Sequence, residues 1–179
     1  GTEDQKKRFF GIFEDKTTPR WGCFALTEPS AGSDVSSIKM TCRKEGKYYI
    51  LNGEKMFITN AARADWAVTF ATIDKSLGRK GHRTFVVEKG TPGYRVGRVE
   101  QKMGLRGSET ASLIYEECKV PEENLLGSEE HYQGKEGFKG AMGTFDMTRP
   151  AVAAMAIGIG RAAYEYVRDF VKENYMVNR

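Results

Sequence analysis

The apolar residues change period along this chain, and that change limits what it can fold into. Between Trp21 and Leu126 they fall in short runs rich in branched and aromatic side chains, separated by glycine, asparagine and proline. The clearest runs are Cys23–Thr27, Tyr48–Leu51, Met56–Thr59, Trp66–Ala71, Thr84–Val87 and Ser112–Tyr115. Glu45-Gly46 and Asn52-Gly53 lie between runs, and an Asn-Gly pair supplies the positive backbone angles of a tight hairpin. Short strands without intervening helices predict an antiparallel barrel or sandwich.

Helices are predicted on both sides. Thr2 is an N-cap candidate for a short helix with early acids and later bases, reaching about Phe10. Towards the other end Val152, Met155, Ile159, Ala162, Ala163, Tyr166, Val167 and Phe170 recur at three and four residues, one helical stripe. Pro150 suits the first turn of that helix, and a second helix from about Gly137 to Phe145 is expected before it. The class is therefore α+β. The stripe has nothing in this sequence to bury it and needs a partner surface.

Composition excludes several functions. The formal charge of +4 is small and interspersed with acids, which argues against a nucleic-acid groove. No apolar run approaches the roughly 18 residues of a membrane span, and the first residues lack the layout of a signal peptide. Cys23, Cys42 and Cys118 form no paired ligand motif, and His82 and His131 have no metal-spaced neighbour. No metal is expected, and reduced thiols suit a reducing compartment. Gly158-Ile159-Gly160-Arg161-Ala162-Ala163 fits a loose dinucleotide fingerprint but lies inside the helical stripe, so it reads as close helix packing. Lys75–Arg83 reads as a solvated loop.

Thr27-Glu28-Pro29-Ser30-Ala31-Gly32-Ser33-Asp34 follows a strand. Such a run is most often a surface loop, yet its small residues also let backbone approach a ligand while its hydroxyls and amides bond phosphate or ring edges. The run resembles the signature of acyl-CoA dehydrogenases, most like the medium-chain and short-chain enzymes. Four further motifs follow in family order: Asn52–Asn60, Lys102–Ser108, Val120–Leu126 and Phe145–Pro150.

The resemblance implies a truncated α–β–α fold. Residues 1–20 would end an N-terminal helical domain, 21–128 would form the middle β-domain that binds FAD and acyl-CoA, and 129–179 would begin a C-terminal helical domain. It also implies α,β-dehydrogenation of an acyl-CoA to a trans-2-enoyl-CoA. Phe24, Leu26, Thr27, Gly32 and Ser33 would line one flavin segment, and Phe57, Ile58 and Thr59 a second. Thr59 would donate towards the hydride-accepting nitrogen and Thr27 towards the pyrimidine side. Phe57 stands where relatives commonly carry tryptophan; as plain sequence it reads equally as a core aromatic. Ser33, Asp146, Met147, Thr148 and Arg149 match positions that contact the thioester arm and pantetheine, although Asp146–Pro150 also reads as a helix boundary.

No residue here matches a catalytic base, which the resemblance places outside this chain. Thr148 occupies the position some relatives use for it. Glu173–Arg179 departs from the arginine-rich run that touches flavin phosphate across a subunit boundary in the family. An electron-transferring flavoprotein as acceptor, a homotetrameric parent, and a cytoplasmic or mitochondrial-matrix location follow from the same resemblance. Two alternatives stay open: an acyl-CoA oxidase or related flavin oxygenase, and a non-catalytic subunit.

Overall fold

The computed structural model describes residues 1–133 and 136–175. The chain divides into two compact units, Gly1–Gly137 and Phe138–Arg179.

The first unit is built on a seven-stranded mixed sheet. Its strands are β1 (Gly22–Ala25), β2 (Thr41–Glu45), β3 (Tyr48–Thr59), β4 (Trp66–Thr72), β5 (His82–Glu88), β6 (Tyr94–Val99) and β7 (Thr110–Pro121). β4 is the hub. β5 runs antiparallel along it from Trp66↔Glu88 to Thr72↔His82, while β1 pairs with it in parallel and β2 meets it at Thr41↔Thr72. The remaining order β2-β3-β7-β6 is antiparallel. The parallel β1–β4 pair departs from the all-antiparallel expectation. The short β2–β4 contact is parallel as well. Tyr49, Leu51, Phe85, Val87, Leu113, Tyr115 and Val120 fill the core, and buried Thr69 and Tyr115 satisfy each other's hydroxyls at 2.7 Å.

Two expected strands are one. Tyr48–Leu51 and Met56–Thr59 are continuous in β3, and Asn52-Gly53 is not a turn. The hairpin is made earlier: Glu45 pairs with Tyr48, leaving Gly46-Lys47 as the loop, with Gly46 at φ +59°. At Asn52-Gly53 the partner strand carries the irregularity. Between the pairs Leu51↔Cys118 and Gly53↔Tyr115, β7 has two residues, Glu116 and Glu117, against Asn52 alone on β3, with Glu117 at φ +48°. The Asn52 side chain fills that bulge, accepting from the Glu117 amide at 2.8 Å and donating to its carboxylate at 2.7 Å.

α1 (Glu3–Phe10) begins with the expected Thr2 cap, a full capping box closed by Gln5. The Gln5 side chain also reaches Glu123 O, Leu125 O and Gly127 N, docking α1 on the β unit. α2 (Glu129–Gln133) belongs to the same unit. Glu129 pairs with Arg83 at 3.0 Å and accepts from the Tyr49 hydroxyl, so Arg83, 7% exposed, is a buried β5 residue and not part of a solvated loop.

The second unit is formed by α3 (Glu136–Asn174) from Phe138 onward, a single helix that replaces the two expected. Pro150 lies within it and not at its first turn. The cost is one intrahelical hydrogen bond. Val152, Met155, Ile159, Tyr166, Val167 and Phe170 of the stripe are exposed. No helix among the described residues is long and apolar enough to cross a membrane.

Candidate cofactor site

A second irregularity, this time in β3, makes the site. Between Lys55↔Leu113 and Ile58↔Ala111 the strand has two residues, Met56 and Phe57, against Ser112 alone on β7, and these two form a bulge. Tyr49, Leu51 and Lys55 alternate on the buried side up to that point. A one-residue bulge reverses the alternation. Ile58 therefore turns inward, while Phe57 and Thr59 face out. Phe57 is 60% exposed at φ +59°, a region costly for a non-glycine residue, so its reading as a core aromatic is wrong.

The bulge faces the Thr27–Asp34 run. Thr27 O accepts from the Met56 amide at 2.8 Å, and the Lys55 amine donates to Leu26 O at 3.0 Å and to Glu28 at 2.7 Å. Beyond Thr27 the chain turns tightly, with Glu28 and Ala31 exchanging backbone hydrogen bonds of 2.9 and 3.2 Å. The Asp34 carboxylate caps the next short turn, accepting from the Ser36 amide and from the Ser36 and Ser37 hydroxyls. These bonds hold its pKa down, the Ser36 hydroxyl most.

The bonds to Leu26 O and Thr27 O set the start of this run beside the β3 bulge that carries Phe57, Ile58 and Thr59, while Phe24 lies on β1 and Gly32 and Ser33 lie beyond the tight turn. Leu26 and Ile58 are buried and support the surface from beneath. Phe24 is partly exposed, its ring packed on Phe70 at 5.1 Å. The hydroxyls of Thr27, Ser33 and Thr59 make no hydrogen bond among the described residues, nor do the amides of Gly32 and Ser33. Outward donors flanking an exposed aromatic ring fit a flat cofactor with polar edges. Among the described residues no group of three His, Cys, Asp or Glu side chains is placed to hold a metal.

Asp146, Met147, Thr148 and Arg149 lie on α3, in the other unit, and are exposed. Asp146 and Arg149 form an ion pair one turn apart at 3.3 Å, and Thr148 bonds Phe145 O. Of the unusual tail, Met176–Arg179 lies outside the described residues.

Glu28 and Lys55 fall within two of the sequence motifs, which assign them no role. Lys55 is fully buried and Glu28 nearly so, at 0% and 4% side-chain exposure. The alternation Tyr49, Leu51, Gly53, Lys55 could have revealed this lysine on the inner face. An open pocket of about 660 Å³ also lies past the end of β3, lined by Arg63, Glu100, Lys102, Arg106 and Glu109 among others. Its cations and acids are mixed, which suits a polar surface better than an anion site.

Residues 23–118 match the family model for the acyl-CoA dehydrogenase middle domain. The chain belongs to the acyl-CoA dehydrogenase family. An acyl-CoA dehydrogenase of Bacillus subtilis is 43% identical over all 179 residues, which are 45% of that protein. The solved butyryl-CoA dehydrogenase of Megasphaera elsdenii is 41% identical with a TM-score of 0.85, over 100% of this chain and 45% of that one. A chain in a structure described as the electron transferring flavoprotein of Acidaminococcus fermentans is 47% identical with a TM-score of 0.85, again over 100% and 45%. The chain thus spans under half the length of these acyl-CoA dehydrogenase relatives. Members of this family are FAD-dependent oxidoreductases.

Proposed function

We propose that the protein containing this chain is an FAD-dependent acyl-CoA dehydrogenase acting on short acyl-CoA thioesters. The observation that carries this reading is the junction of Thr27–Ser33 with the β3 bulge, which turns Phe57 and Thr59 outward beside unpaired hydroxyls. FAD held at this surface would supply the acceptor for the β-hydride. The chain's own contribution is to hold and polarise that acceptor. Thr59 and Thr27 would donate to the flavin edge where negative charge collects, a preorganised interaction of the kind worth roughly 2.7 to 4 kcal/mol. Phe57 offers a flat apolar ring but no indole donor. By their match to family positions, Ser33 in the first unit and Asp146, Met147, Thr148 and Arg149 on α3 are the candidates for contact with the thioester arm and pantetheine. No residue here is assigned as the base that removes the α-proton; Thr148 is too weak an acid–base group for it.

An electron-transferring flavoprotein is the acceptor that fits, and a homotetramer the assembly. The three buried, unpaired cysteines suit a reducing compartment, bacterial cytoplasm or mitochondrial matrix. Anaerobic addition of butyryl-CoA to the purified whole protein tests the reading. Bleaching of the flavin band with formation of crotonyl-CoA supports it. Tight acyl-CoA binding without flavin reduction would favour a non-catalytic subunit instead.

A further inference from the structure

Lys55 reaches from β3 into the interior, and its amine is shared between Leu26 O at 3.0 Å and Glu28 Oε1 at 2.7 Å. Glu28 in turn accepts from the Met40 amide on Oε1 at 3.1 Å and from the Lys39 amide on Oε2 at 2.6 Å. One ion pair therefore ties the segment after β1, the approach to β2, and β3. Thr27 sits between the two residues that Lys55 holds, and its carbonyl is fixed by Met56, next to Phe57. Both sides of the cofactor surface are pinned from beneath by the same two charges.

Such a pair is a poor device for stability alone. Taking two charges out of water costs several kcal/mol per ion, and apolar residues of similar volume commonly serve a core as well or better. What the pair adds is direction. The carboxylate fixes two amides and the amine two acceptors, which apolar packing does not do.

We propose that Glu28 and Lys55 are positioning residues that set the spacing between Thr27 and the Phe57–Thr59 segment, and through it the affinity and polarity of the flavin site. The inference rests on the FAD reading above. The pair touches no reacting atom; it acts through Thr27 and the β3 bulge.

The test uses the whole protein, stripped of flavin and titrated with FAD, as wild type, as Glu28→Leu/Lys55→Met, and as Glu28→Gln. The apo melting temperature reports the fold, while the FAD dissociation constant and the visible spectrum of bound flavin report the site. A double variant that melts within a few degrees of wild type yet binds FAD at least tenfold more weakly, with a displaced flavin band, is the expected result. Glu28→Gln keeps the size of the side chain and one acceptor, and is expected to fall between. Should the double variant fail to fold, the affinity and spectrum of Glu28→Gln decide the matter by the same criteria. Wild-type affinity and spectrum in the folded variants, or losses explained wholly by the unfolded fraction, would overturn the inference while leaving the FAD reading intact. A wild-type protein that does not take up FAD would overturn both.

Discussion

The carbonyl of Thr27 accepts a hydrogen bond from the Met56 amide at 2.8 Å, and the next residue, Phe57, stands at φ +59°. The two segments of the cofactor surface are joined where β3 leaves its register with β7, so the strained residue is also the displayed one.

Strain at Phe57 makes glycine there inexpensive. The left-handed conformation costs an L-residue roughly 1–2 kcal/mol, and glycine's added chain entropy returns about 0.5–1 kcal/mol of that gain. Phe57→Gly is expected to change stability by less than about 1 kcal/mol in urea denaturation, whereas Phe57→Val, branched at Cβ, should cost more. FAD affinity should fall in both, because the exposed ring is lost.

Gly53 sets the opposite expectation. It lies at φ +146°, and a Cβ there would come within 2.9 Å of the Cα and Cβ of Met40. Gly53→Ala should therefore destabilise by about 1–3 kcal/mol through overpacking. Met40→Ala should not rescue it, since the clash includes atoms that alanine retains. Full rescue in the double variant would show that the close approach is not between backbones.

The fold was legible where one local signal dominated. The Thr2 N-cap, the apolar strand runs and the stripe from Val152 are all local patterns. β2 and β6 escaped because Thr41-Cys-Arg-Lys-Glu and Tyr94-Arg-Val-Gly-Arg-Val present mostly exposed side chains, with Cys42 the one buried residue of the two strands. Asn52-Gly53 carries turn chemistry, but its asparagine serves a bulge in β7, a partner distant in sequence. The Phe57 reversal has the same origin: the inserted residue is defined only against Leu113 and Ala111. The proposed cofactor residues come from ordered motifs. The ion pair beneath them does not, because Asn52-Gly53 reads as a turn and breaks the alternation Tyr49, Leu51, Gly53, Lys55 that would place the lysine inward.

Lys55 gives a dependence on pH. Burial brings its amine down to about 8, and Glu28 opposes that shift. An unfolded chain holds the same proton up to about pH 10.4. Between these values unfolding takes up a proton, so this group's contribution to stability rises with pH and is lost as pH falls through the folded value. The stability of wild type minus that of Lys55→Met should therefore climb from pH 8 towards 10, by no more than about 1.4 kcal/mol per pH unit. A flat difference across that window would mean that the amine stays protonated in the fold.

The most direct measurement is an FAD titration of the purified whole protein beside its Thr27→Val and Thr59→Val variants, which keep side-chain volume and remove the hydroxyls. Stoichiometric FAD uptake by wild type, with affinity at least tenfold weaker in Thr59→Val and a shifted flavin band in each variant, is the expected result. Equal affinity and identical spectra in all three proteins would contradict the assignment of this surface as the flavin site.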